Sequence, residues 1–83
     1  MYELKFDKKA IDSLNSLEKE DKKRILNKLQ QCKLNPFLFL EHLEDIKGFK
    51  LRVGDFRVII DADKTNNILY ILKVGHRKNI YEK

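Results

Sequence analysis

The sequence predicts an α+β fold: a helical hairpin packed on a mostly antiparallel four-stranded sheet, in the order βααβββ. Three observations carry this expectation. Apolar residues recur at three- and four-residue steps through residues 10–32, the spacing of a helix face. Strict alternation replaces that spacing in residues 49–62, the spacing of a half-buried strand pair. Gly54-Asp55 lies in the middle of the alternating stretch, where a hairpin needs its turn. With 83 residues, the chain is expected to be one domain spanning 1–83.

The elements follow in order. Tyr2-Glu3-Leu4-Lys5-Phe6 alternates and reads as a first strand. Asp7 offers an N-cap oxygen to a helix starting at Lys8, with Ala10, Ile11, Leu14 and Leu17 as its apolar stripe. The pattern pauses at Lys19-Glu20-Asp21, whose acids suit a helix first turn. A second helix runs through Ile25, Leu26, Leu29 and Cys32 and stops at Asn35-Pro36, since proline disfavours a helical residue before it. Phe37 to Asp45 reads as a loop with one short turn. The hairpin strands cover 49–53 and 56–62, a polar turn follows at 63–67, and Ile68 to Val74 is the last strand. Gly75 is expected to break it, leaving His76 to Lys83 as a short polar tail.

Composition narrows the function classes. The chain is 42% hydrophobic and 37% charged with three glycines and one proline, which excludes disordered and collagen-like chains. A domain this small has no room for a deep, walled active site, so any chemistry sits on an open face. Apolar runs such as Phe37-Leu38-Phe39-Leu40 are too short to span a bilayer, and the charged start of the chain does not read as a signal peptide. Cys32, the lone cysteine, excludes an internal disulfide and suits a reducing cytoplasm; its place in line with Ile25 and Leu29 makes it a buried or half-buried apolar residue.

The formal charge is +5, and it is unevenly spread. Residues 1–47 hold ten Lys/Arg against nine Asp/Glu, whereas residues 48–83 hold eight against four. Arg52, Arg57 and Arg77 lie in that second part, with only Arg24 elsewhere. Arginine suits bidentate phosphate contact better than lysine does, so the excess favours RNA, DNA or an acidic protein as partner.

A turn at Gly54-Asp55 opposes Val53 to Phe56, Arg52 to Arg57, Leu51 to Val58 and Lys50 to Ile59. Leu51, Val53, Phe56, Val58 and Ile60 then share one face, and Lys50, Arg52 and Arg57 share the other. Phe49 and Phe56 have the parity of the core face and read as packing residues. Like charges directly opposite cost a few tenths to about 1 kcal/mol. Spacing alone leaves two readings open, a solvated outer face of ordinary cations or a site for a polyanion.

Leu51-Arg52-Val53-Gly54-Asp55-Phe56-Arg57-Val58-Ile59-Ile60, followed by Leu72-Lys73-Val74-Gly75-His76-Arg77-Lys78 and then Tyr81, resembles the RelE/ParE superfamily of toxins. The N-terminal half looks like it as well: a strand, a helical hairpin and an Asn-Pro. The resemblance covers essentially the whole chain and implies a toxin of a type II toxin–antitoxin module. Its partner would be a small, partly disordered RelB-like antitoxin that folds a helix onto the toxin. RelE-type members enter the ribosomal A site and cut mRNA, so ribosome and mRNA would be the other partners, with no membrane involved. ParE-type members share the fold but poison DNA gyrase.

For a RelE-type enzyme the resemblance implies a catalytic set of Lys50, Arg57, Arg77 and Tyr81. Arg57 and Arg77 would hold the scissile phosphate, and Lys50 and Tyr81 would be the candidates for proton transfer. Tyr81 lies closer to Gly75 than in the best-known bacterial member. Gly48 stands where some members carry another lysine. Arg52, Lys73, His76 and Lys78 would extend the face as RNA-binding residues. The chemistry is attack of the RNA 2′-hydroxyl on the adjacent phosphate, which needs proton transfer and charge stabilisation but no metal or other cofactor. No convincing metal site is visible: His42 and His76 are far apart in sequence, and Glu41, Glu44 and Asp45 are placed in a loop without ligand spacing. The alternatives are a gyrase poison on the same fold and a non-catalytic RNA-binding module.

Overall fold

The computed structural model describes residues 1–44 and 47–80. In chain order the elements are β1 (Glu3–Phe6), α1 (Lys8–Ser16), α2 (Lys19–Leu34), a 3₁₀ turn (Pro36–Leu38), β2 (Leu40–His42), β3 (Phe49–Val53), β4 (Phe56–Asp63) and β5 (Ile68–His76). The strands form one sheet in the order β1-β5-β4-β3-β2, parallel between β1 and β5 and antiparallel elsewhere. This is the α+β layer expected, with five strands in place of four.

The extra strand is β2. Its three residues lie in the segment read as loop and turn, and only the 3₁₀ turn there was anticipated. Three residues carry too little alternation to be seen; pairing Leu40 with Leu51, Glu41 with Lys50 and His42 with Phe49 makes them a strand. Glu41, placed in a loop by sequence, is therefore a strand residue beside Lys50. Asp45 lies outside the described residues.

Local chemistry explains the helix boundaries. The Asp7 carboxylate accepts from the Lys9 N–H at 2.8 Å and caps α1. Glu20 and Asp21 occupy the first turn of α2, where the helix dipole favours negative charge. Asn35 ends α2 in a non-helical conformation, as the residue before a proline must. Both helices cover one face of the sheet. Ala10 and Leu14 of α1 and Ile25, Leu29 and Cys32 of α2 bury against Leu51, Val53, Val58, Ile60, Leu69, Ile71 and Val74.

Strand β5 runs on through Gly75 to His76 rather than stopping at the glycine. It also carries a bulge. Ile60 pairs with Ile71 but Ile59 pairs with Lys73, so Leu72 is the extra residue. Plain alternation after Leu69 and Ile71 would send Lys73 into the core. The bulge lets Ile71 and Val74 both bury and turns Lys73 outward, at a local cost in ladder hydrogen bonding. Among the described residues no helix is long and apolar enough to cross a membrane.

Two outcomes follow from this core. Leu29→Ala removes a fully buried side chain and is expected to cost about 2–5 kcal/mol in a urea unfolding titration. Burial pushes the Cys32 thiol up from 9.0 to about 11, against the opposing pull of Lys28. A thiol with a raised folded-state pKa stabilises fully below its unfolded value and loses that contribution as pH rises through the folded one. Wild type should therefore lose stability between those two values, relative to Cys32→Ala measured in parallel.

Candidate functional site

The basic residues gather where the β3–β4 turn meets the end of β5. The turn is the two-residue Gly54-Asp55 loop, with Gly54 at φ +58°, a left-handed conformation that glycine adopts without strain. Val53 pairs with Phe56 and Arg52 with Arg57, the register the sequence implied. On its other side Arg57 pairs with Gly75. One row across the sheet is therefore Arg52–Arg57–Gly75, and the next row inward is Lys50–Ile59–Lys73. Side chains two apart along a strand share a face, so the rows lie roughly 7 Å apart.

Arg57 departs from expectation. The sequence placed it on an open face, but it is 7% exposed. One of its Nη atoms donates to the carbonyls of Gly54 and Phe56, both at 2.7 Å, curling the guanidinium back over its own turn. Gly75 offers no side chain beside it, and Ile80 folds onto that glycine. A Cβ at Gly75 would lie 3.0 Å from Ile80 Cδ1. Among the described residues no carboxylate pairs with Arg57, so a buried cation is held by carbonyl oxygens alone. Burying a charge without countercharge is costly.

The outer arginines each face an acid. The Arg52 Nε lies 3.9 Å from Glu41, and the Arg77 Nε lies 3.8 Å from Asp55. All four side chains are substantially exposed. Such pairs contribute about 0–1 kcal/mol at most, so the two carboxylates hold these arginines only weakly. Asp55 also anchors the segment after β5, its carbonyl accepting from the Arg77 N–H at 2.8 Å.

The remaining candidates divide. Lys50 and Lys73 stand on the arginine side in the second row, and Lys78 is exposed in the turn after β5. His76 turns to the other face. It is paired with Phe56, the two rings meet edge-on at 5.9 Å, and its Nδ1 accepts from the Lys78 N–H at 3.3 Å. Tyr81 lies outside the described residues. Phe56 packs against the core as its parity implied, whereas Phe49 joins Phe37 and His42 in an aromatic group at the opposite end of the hairpin. Among the described residues no three of His, Cys, Asp or Glu gather as metal ligands.

Sequence reasoning missed Glu41 and Asp55 as partners of the arginines. Asp55 carried a signal, since it directly follows the turn glycine, but Glu41 carried none without β2. Position 48 resists any side chain for a local reason. Gly48 sits at φ +126°, and a Cβ there would lie 3.2 Å from the Ile60 carbonyl oxygen.

Comparison with known proteins agrees with this fold. A family model described as ParE toxin of type II toxin–antitoxin system, parDE, matches residues 4–81. No curated protein matches the chain in sequence. Among solved structures, the RelBE2 toxin–antitoxin complex of Mycobacterium tuberculosis is similar at TM-score 0.84 and 22% identity, over 92% of this chain and 98% of that one. The archaeal RelE–RelB complex of Pyrococcus horikoshii OT3 gives 0.79 and 27%, over 94% and 97%. The intact E. coli RelBE complex gives 0.78 and 20%, over 92% and 96%.

Gly48→Lys forces a side chain into that backbone. It should lower stability by about 1–3 kcal/mol, read as a fall in urea midpoint.

Proposed function

The chain belongs to the ParE toxin family of type II toxin–antitoxin systems, and within that fold we propose that it acts as a ribosome-dependent, metal-free mRNA endonuclease that cuts in the A site. The observation that carries this reading is Arg57, a buried guanidinium with no carboxylate partner among the described residues, flanked by Arg52 and followed across the hairpin end by Arg77. A scissile phosphate supplies the missing countercharge. Arg57 and Arg77 hold it and offset the charge that develops as the RNA 2′-hydroxyl attacks phosphorus and the 5′-oxygen leaves. Lys50 and Tyr81 are the proton-transfer groups. Arg52, Lys73 and Lys78 line the approach of the RNA backbone. Acid–base equipment this sparse suits an enzyme whose substrate is positioned by the ribosome, where proximity supplies much of the rate.

The reading places the protein in the cytoplasm, with a RelB-like antitoxin as its cognate partner. The Mycobacterium, Pyrococcus and E. coli neighbours are each RelBE or RelE–RelB complexes, which supports that partner. A second reading, a non-enzymatic gyrase poison, is favoured by the ParE description of the matched family and by Gly48.

The two separate in one experiment. Wild type and Arg57→Ala are expressed without antitoxin, and mRNA ends and gyrase-linked DNA breaks are mapped together. The nuclease reading expects cuts within translated codons, reduced about 10²–10³-fold in the variant. Intact mRNA with trapped DNA breaks, and toxicity that survives Arg57→Ala, would establish the gyrase reading instead.

A further inference from the structure

The fourth arginine of the chain also reaches the hairpin turn, although it starts from a different element. Arg24 lies on α2, on the helix side of the sheet. Its Nη1 lies 2.6 Å from the position a Cβ would take on Gly54. That is closer than any side chain would allow, so the guanidinium occupies space that exists because residue 54 is glycine. Arg57 contacts the carbonyl of the same residue, and Arg77 is held by Asp55, the next one. Three guanidinium groups from α2, β4 and the end of β5 thus converge on two residues.

Among the described residues Asp55 is the one carboxylate that pairs with any of the three. Among the described residues Arg24 is exposed and makes no hydrogen bond or ion pair. Nothing in the core depends on its charge. An exposed arginine free to point into solvent instead rests against a turn that already carries two cations, an arrangement that repulsion opposes and that a polyanion relieves.

We propose that Arg24 is a further RNA-binding residue, contacting a backbone phosphate next to the one held by Arg57 and Arg77 and extending the phosphate track round the Gly54 tip onto α2. This rests on the reading of the hairpin end as an RNA-binding site. The ligand is a single-stranded RNA backbone, recognised through charge and without base contact, so the effect is uniform across sequences.

The test is the salt dependence of binding to a short single-stranded RNA whose 2′-oxygens are methylated and so are unable to attack. Each phosphate contact on a single strand contributes about 0.7 to the slope of log affinity against log salt. Arg24→Ala should lower the slope by about that amount, and Arg24→Lys should keep it. Lys33→Ala removes the same charge nine residues along α2, about 14 Å away by helix rise and beyond the Debye length, and should leave the slope unchanged. An Arg24→Ala slope equal to wild type, an equal loss in Lys33→Ala, or no RNA binding by wild type overturns the inference. The cleavage reading stands or falls separately, on the map of mRNA cuts.

Discussion

The Gly54-Asp55 turn is the constraint on which the basic face depends. A two-residue loop with glycine in the left-handed region closes β3 on β4 so that Arg52 and Arg57 oppose each other. The same residues then act as acceptors. The Gly54 carbonyl holds Arg57, and the Asp55 carbonyl and carboxylate hold Arg77. One residue more in this loop would shift the register and misplace both anchors. Local backbone chemistry at two residues therefore sets the positions of cations that are distant in sequence.

The β5 bulge does the corresponding work on the other side. Without Leu72 as an extra residue, the strand would present Lys73 to the helices and Val74 to solvent. With it, the core keeps Ile71 and Val74, and Lys73, Gly75 and the approach to Arg77 fall on the arginine side. The sheet thus separates two incompatible demands. One face buries apolar surface under α1 and α2, while the other concentrates cations that contribute little to folding. Like charges opposed across β3 and β4 cost stability, and the helical layer supplies the burial that offsets it.

Much of this was legible in the order of residues. The hairpin register followed from alternation and a Gly-Asp pair, the α1 cap from Asp7, and the end of α2 from Asn35-Pro36, because each depends on neighbours in sequence. Strand β2 was not legible, since three residues become a strand only by pairing with β3. Its absence from the sequence reading also hid the Arg52–Glu41 contact. The continuation of β5 through Gly75 was misread for a related reason. Glycine weakens an isolated strand, but here Arg57 pairs with it and Ile80 packs upon it.

The sequence by itself determined the fold class, the core positions and the presence of an arginine-rich end, because periodicity and turn chemistry act over a few residues. Tertiary structure decided what each arginine does. Burial of Arg57 against its own turn, the pairing of Arg77 with Asp55, the rotation of His76 to the helix side and the reach of Arg24 to Gly54 all arise between elements far apart in the chain. No local pattern encodes such contacts. They follow from how the helical hairpin settles on a sheet whose register and bulge are already set.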